Sequence, residues 1–191
     1  MRTLTGYAYV RSVAFDNNNI LATAAQDYKI NLWDKNTGDL LRTLDNEYDS
    51  GAILSVAFDN NSMLANGNGN YKIRLWKKNT GYLLRTLTGH GHWVNSVAFD
   101  DNYMLASGSE DRTIKLWHKN TGDLLRTLTG HDGAIQSVAF DISNMLASGS
   151  ADRTIKLWNK NNGDLLRTLT GHYRAIQSVS FDNNNMLASG S

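Results

Sequence analysis

The chain repeats itself about every 41 residues. Residues 83–123 set above residues 124–164 agree at 30 of 41 positions. A unit this short cannot bury its own apolar face. It must stack on copies of itself, so the fold is a repeat architecture with a core shared between neighbours. A chain of near-identical units also presents a surface more readily than it assembles one asymmetric catalytic centre.

One repeat reads as four short strands. Val94–Phe99 (VNSVAF) alternates apolar and polar residues, and Met104–Ser109 (MLASGS) is a second strand. Residues 113–117 (TIKLW) form a β-branched third strand, and Leu124–Leu128 (LLRTL) a fourth. Polar turns at 100–103, 110–112 and 118–122 separate them. Apolar runs of five or six residues bounded by turn signals predict an antiparallel meander, not helices. Proline is absent, so Asn, Asp and Gly must make the turns, as in DNNN, DNNS, KNTG and KNNG.

Composition excludes several classes. The net charge is +1, which supplies no strong pull toward nucleic acid or an anionic membrane. There is no apolar run near 18 residues. The first residues, MRTLTGYAYVRSVAF, lack the layout of a secretory signal. Cysteine is absent, which removes disulfides, thiolate metal sites and a cysteine nucleophile. An intracellular, cytoplasmic protein is the expectation.

The recurring signature is Gly89 and His90, the LASGS run at 105–109, Asp111 before the third strand and Trp117 closing it. It returns as Gly130 and His131, residues 146–150, Asp152 and Trp158. These features resemble the WD-repeat (WD40) family along essentially the whole chain. The closing Trp-Asp pair is intact at Trp33 and Asp34, whereas Lys77, His118 and Asn159 follow the later tryptophans.

The resemblance implies an all-β fold, a WD40-type β-propeller of four-stranded antiparallel blades. Four complete blades are expected at about 5–44, 45–87, 88–128 and 129–169, with a partial blade at 170–191 and an N-terminal strand at 2–4. Together they make one partial domain, 1–191, an incomplete or open propeller. Either the chain is a fragment of a longer one, or two chains associate, or the arc stays open.

The resemblance also implies a hydrogen-bonded set inside each blade: His90, Asp111, Ser107 or Ser109, and Trp117; then His131, Asp152, Ser148 or Ser150, and Trp158. His172 belongs to the partial blade. This structural reading replaces two others, a metal site on the recurring His and a Ser-His-Asp triad, because one buried triad per blade serves no substrate. The first blade keeps Asp27 and Trp33 but has Tyr7 where His is expected. The second departs most: Asn66, Asn68 and Asn70 replace the serines and the Asp, and only Trp76 remains. It is expected to be the least rigid blade.

In the family, partners bind the face that carries the loops before the first strand and between the second and third strands. There the repeats differ. The candidate binding residues are Tyr7, Tyr9, Tyr28, Tyr48, Tyr71, His92, Trp93, Arg112, Arg153, Tyr173 and Arg174, with side-chain types enriched at interface hot spots. Trp93 is the one Trp outside the third-strand position, and it either binds or packs on a neighbouring blade. The implied function is a non-catalytic scaffold for a protein or peptide partner, with no cofactor and no metal. The alternatives are a propeller that binds nucleic acid or a small ligand, or a non-functional piece of a larger regulatory protein. The sequence contains no phosphate loop, HExxH or nucleophile elbow.

Overall fold

The computed structural model describes residues 9–45, 51–59 and 61–191. The expected strand at 2–4, Tyr7 and Tyr48 lie outside the described residues.

The strands follow the repeat. The first sheet holds β1 (Val10–Phe15), β2 (Ile20–Ala25), β3 (Lys29–Asp34) and β4 (Leu40–Asp45). The second holds β5 (Ile53–Phe58), β6 (Met63–Asn68), β7 (Ile73–Lys77) and β8 (Tyr82–Leu87). The third holds β9 (Val94–Phe99), β10 (Met104–Ser109), β11 (Ile114–His118) and β12 (Leu124–Leu128). The fourth holds β13 (Ile135–Phe140), β14 (Met145–Ser150), β15 (Ile155–Asn159) and β16 (Leu165–Leu169). Two further strands, β17 (Ser178–Phe181) and β18 (Leu187–Gly190), form a two-stranded sheet. Every pairing is antiparallel between sequence neighbours.

The third strand starts one residue later than expected. Thr113 is held in the turn, because its hydroxyl donates to the Asp111 carboxylate at 2.7 Å and its carbonyl accepts from Ser109 N–H at 3.2 Å.

The core lies between sheets. Ala22, Ala24, Ile30 and Leu32 of the first sheet pack on Ile53, Val56, Leu64 and Trp76 of the second, and the equivalent residues fill the next joints. Burying each Ile, Leu or Val side chain there contributes about 1.5–3 kcal/mol. The recurring glycine of the second strand makes room for this. A Cβ on Gly108 would come within 2.5 Å of Ile135 Cγ2, and one on Gly149 within 2.5 Å of Ile176 Cγ2.

Polar bonds repeat at the same joints. Ser12 Oγ accepts from Val56 N–H, Ser55 from Val97, Ser96 from Val138 and Ser137 from Val179, each at 3.1 Å. Lys78 Nζ lies 2.8 Å from Asp16, Lys119 3.4 Å from Asp59 and Lys160 3.0 Å from Asp100, with all six side chains almost fully buried. Each of these lysines also stands 5.6–5.7 Å over the ring of Phe58, Phe99 or Phe140. The second oxygen of each Asp accepts two backbone N–H groups of its own turn, as Asp100 does from Asn102 and Met104. Burial raises the Asp16 pKa, but the bonds from Lys78, Ile20 N–H and Asn18 N–H outweigh it and hold the carboxyl below its usual range.

Among the described residues, nothing packs on the first sheet as each sheet packs on the one before it. Val13 is 56 % exposed, whereas Val56, Val97 and Val138 at the same position are 5 % exposed.

Candidate partner-docking face

The recurring polar set comes first, because it positions the loops. In the third sheet Trp117 Nε1 donates to Ser107 Oγ at 2.8 Å. Ser107 Oγ is 2.7 Å from His90 Nε2, and His90 Nδ1 is 2.7 Å from Asp111 Oδ2. A carboxylate only accepts, so His90 Nδ1–H donates to Asp111. The fourth sheet repeats the chain through Trp158, Ser148, His131 and Asp152 at 2.8, 2.8 and 2.7 Å.

The second serine does a different job. Ser109 Oγ donates to the His92 carbonyl and accepts Asp111 N–H, both at 3.1 Å, so it ties the two loops of the face together. Ser150 does the same with Gly133 and Asp152.

Burial raises the Asp152 pKa, but hydrogen bonds from Thr154 and His131 outweigh it and lower the value to about 2. Asp111 is held well below the carboxylate range in the same way, by His90, Thr113 and the Gly91 N–H against burial. Burial pushes His131 down from its ordinary value, and Asp152 opposes this only in part.

The first and second sheets fill the same space with other groups. Trp33 Nε1 donates to Thr23 Oγ1 at 2.9 Å, and Asp27 accepts Lys29 N–H at 3.2 Å. Trp76 Nε1 donates to Asn66 Oδ1 at 2.6 Å, and the Asn66 amide donates on to Asn68. Asparagine side chains therefore extend the tryptophan's bonding where the residue types alone leave Trp76 by itself. The buried Nδ2 atoms of Asn68 and Asn70 have no hydrogen-bond partner. In the last sheet His172 Nε2 is 2.8 Å from Ser189 Oγ, and Nδ1 is 2.9 Å from Ser191 Oγ.

The turns between second and third strands carry an unusual backbone. Tyr28, Tyr71, Arg112 and Arg153 all have φ between 67° and 71°. They occupy one equivalent position. In the third sheet, Arg112 N–H donates to Ser109 O at 3.2 Å and Ser109 N–H to Thr113 O at 3.2 Å. This is a three-residue hairpin loop whose last residue is left-handed, a place suited to Gly or Asn. Here it holds a Tyr or an Arg, exposed in every case.

These positions adjoin the loops before the first strands. The bond Glu110 N–H to Trp93 O at 2.9 Å is matched by Gln26 to Tyr9, Gly69 to Ala52 and Ala151 to Ala134. Between the second and third sheets the loops meet directly. There Tyr71 stacks on His92 with centroids 5.3 Å apart, and His92 lies 5.6 Å from Trp93. His92 Nδ1 is 2.8 Å from Glu110 Oε2. Trp93 packs beside Gly69 of the neighbouring blade through its Cδ1, and 45 % of the residue is exposed.

At the other end, Arg153, Tyr173, Arg174, Gln177 and Ser191 line a cleft of ≈ 490 Å³. Tyr9 is 82 % and Tyr173 94 % exposed. The expected residues thus form an aromatic group (Tyr71, His92, Trp93) and a cationic one (Arg153, Arg174), with Arg112 in the loop between them. Sequence reasoning missed the pairing of His92 with Glu110. It also missed the buried lysines, although a Lys two residues after each strand-three Trp and an Asp after each strand-one Phe signal them.

Among the described residues no three His, Asp or Glu side chains gather to hold a metal ion. A comparison with curated proteins returns no match. A comparison with protein families matches WD40, described as WD domain, G-beta repeat, at residues 1–34, 81–118, 122–159 and 163–191. The matches pass over 35–80, the segment that holds most of the asparagine-substituted second blade. With four matched repeats spanning most of its length, this chain belongs to the WD40 family.

Proposed function

We propose that this chain is a non-catalytic scaffold that docks a protein or peptide on the loop face. WD40 repeats serve generally as protein-interaction scaffolds, and the family is generally non-catalytic. One observation carries the reading for this face. Bulky Tyr and Arg side chains stand at four equivalent left-handed positions where Gly would be cheaper by about 1 kcal/mol or more. A fold that tolerates this strain at the same exposed point of each blade is keeping side chains for contact with something else. Aromatic and Arg anchors are the types that dominate binding energy when a partner covers them.

The Ser-His-Asp sets support the non-catalytic part. Ser107 and Ser148 are fully buried, and each hydroxyl is spent between a Trp indole and a His ring. No substrate carbonyl reaches such an oxygen. An intracellular location remains part of the proposal, supported by the cysteine-free composition.

The test is a displayed peptide library panned against the wild type and against a variant carrying Tyr71→Gly, Trp93→Ala, Arg112→Gly and Arg153→Gly. Circular dichroism checks that the variant is folded. Enrichment on the wild type that vanishes on the folded variant is the expected result. Equal enrichment on both would move the binding site off this face.

A further inference from the structure

The joint between the first and second sheets holds a groove at the ends of the strands away from the loop face. Ile20, Leu32 and Leu41 make its apolar floor, Arg42, Lys78 and Asn79 its polar rim, and its volume is ≈ 310 Å³. That volume is at the small end for a ligand site. Ile20 starts β2 and Lys78 follows β7, whereas Tyr28 and Tyr71 of the loop face stand at the opposite ends of the same strands.

Two local departures from the repeat distinguish this joint. The first is Ile20. It faces Asp34 across the strand pair, as Met63 faces Lys77 and Met104 faces His118. Met63 and Met104 are buried, whereas Ile20 is partly exposed. An Ile side chain stops one atom short of a Met and lacks its gap-filling flexibility. The second is the hold on Arg42. Arg85 Nε donates to the Asn120 carbonyl and Arg126 Nε to that of Asn161, both at 3.0 Å. Arg42 reaches the Asn79 carbonyl through Nη2 at 3.4 Å, beyond the usual range for such a bond. No salt bridge among the described residues includes Arg42. The neighbouring charges are spent: Lys78 pairs with Asp16, and the Asp34 carboxylate accepts Asn36 and Thr37 N–H of its own turn. Of the two cations at the rim, Arg42 is the one left for a partner.

We propose that this groove binds an extended segment of a partner protein in which an aliphatic side chain adjoins an acidic residue. The aliphatic side chain lies on Ile20, Leu32 and Leu41, in the space that Met63 and Met104 deny it at the later joints. The carboxylate takes two parallel N–H bonds from the Arg42 guanidinium, the geometry that makes such pairs strong. The floor therefore selects the anchor and Arg42 selects its charged neighbour. This site is separate from the loop face, and its test does not depend on the reading given there.

The experiment titrates the whole 191-residue chain, isotope-labelled for NMR, with the blocked peptide acetyl-Gly-Asp-Leu-Glu-Gly-amide. Saturable shifts at the amides of Ile20, Leu32, Leu41 and Asn79 are expected. Ile20→Met should weaken binding about tenfold or more by filling the groove. The fold is not at risk, because Met is the residue at that position in the second, third and fourth sheets, and urea unfolding checks it. Arg42→Gln should lower the acidic peptide to the affinity of its amide counterpart, acetyl-Gly-Asn-Leu-Gln-Gly-amide, and leave that counterpart unchanged, which isolates the guanidinium–carboxylate pair. Absence of saturable shifts, equal affinity for the two peptides, or undiminished binding to Ile20→Met would overturn the proposal. So would shifts confined to Tyr71, His92 and Trp93, which would return the peptide to the loop face. Shifts of the groove amides that grow with chain concentration before any peptide is added would overturn it too, by putting a second copy in the groove.

Discussion

Lys160 Nζ lies 3.0 Å from the Asp100 carboxylate across a blade joint, with both side chains almost fully buried. Sixty residues separate them in a chain whose repeat is about 41 residues. The pair therefore joins one blade to the next and cannot form within a single repeat. Removing one partner leaves the other charge buried and unpaired, which is costly, whereas the intact pair contributes little net stability.

Lys160→Met should therefore destabilise the chain by about 3 kcal/mol, and adding Asp100→Asn should recover part of that loss. Urea unfolding of the single and double variants reads both. A single variant as stable as wild type would show that the joint does not depend on the pair.

Ser107→Ala and Ser109→Ala should differ in kind. The first leaves the buried Trp117 indole N–H and His90 Nε2 without their shared partner, at about 1–3 kcal/mol. The Trp117 indole proton should shift and lose exchange protection in that variant alone, as followed by NMR. Ser109→Ala should loosen the loops at His92 and Asp111 and leave the indole signal in place.

Acid should weaken the fold in two stages. His131 is held below its ordinary value of 6.5, so the unfolded chain takes up its proton first and stability falls as pH drops below about 6.5. Asp152 is lowered to about 2 from 3.8, so its contribution is present above 3.8 and is lost as pH falls from there to about 2. Urea midpoints at about pH 8, 5.5 and 3 should decline in that order. A midpoint that holds steady from the first to the second would contradict the His131 assignment.

Tyr71→Gly should stabilise the protein by about 1 kcal/mol, because glycine adopts the φ of 70° at no steric cost. Thermal unfolding measures it. A loss of stability instead would mean that the stack on His92 outweighs the backbone strain.

Amides of β5–β7 should exchange faster than those of β9–β11. The second sheet buries Asn68 and Asn70 nitrogens without hydrogen-bond partners, whereas the third closes its chain through Ser107, His90 and Asp111. Equal protection by hydrogen exchange would show that the asparagine set is an adequate substitute.

What the residues disclosed, and what they concealed, follows from distance along the chain. Strands such as Val94–Phe99 and Met104–Ser109 were legible because alternation and turn residues act within a few positions. The choice between Ser107 and Ser109 was not, since residues two apart on a strand face the same way. Register decides it: Trp117 pairs with Leu105, and its indole reaches Ser107 next along that face. The Lys–Asp pairs were hidden because a single repeat holds half of each. The left-handed Tyr and Arg positions were hidden because their side chains give no sign of a backbone that favours glycine.

The bonds from Val56 to Ser12, Val97 to Ser55, Val138 to Ser96 and Val179 to Ser137 have an evolutionary consequence. Each joint is the same joint, so a gene segment one period long carries both halves of it. Unequal recombination at a repeat boundary inserts or deletes a blade, and the new neighbours meet with donor and acceptor already matched. The number of modules can therefore drift under selection without passing through an ill-fitting intermediate. The loops are then free to diverge one by one.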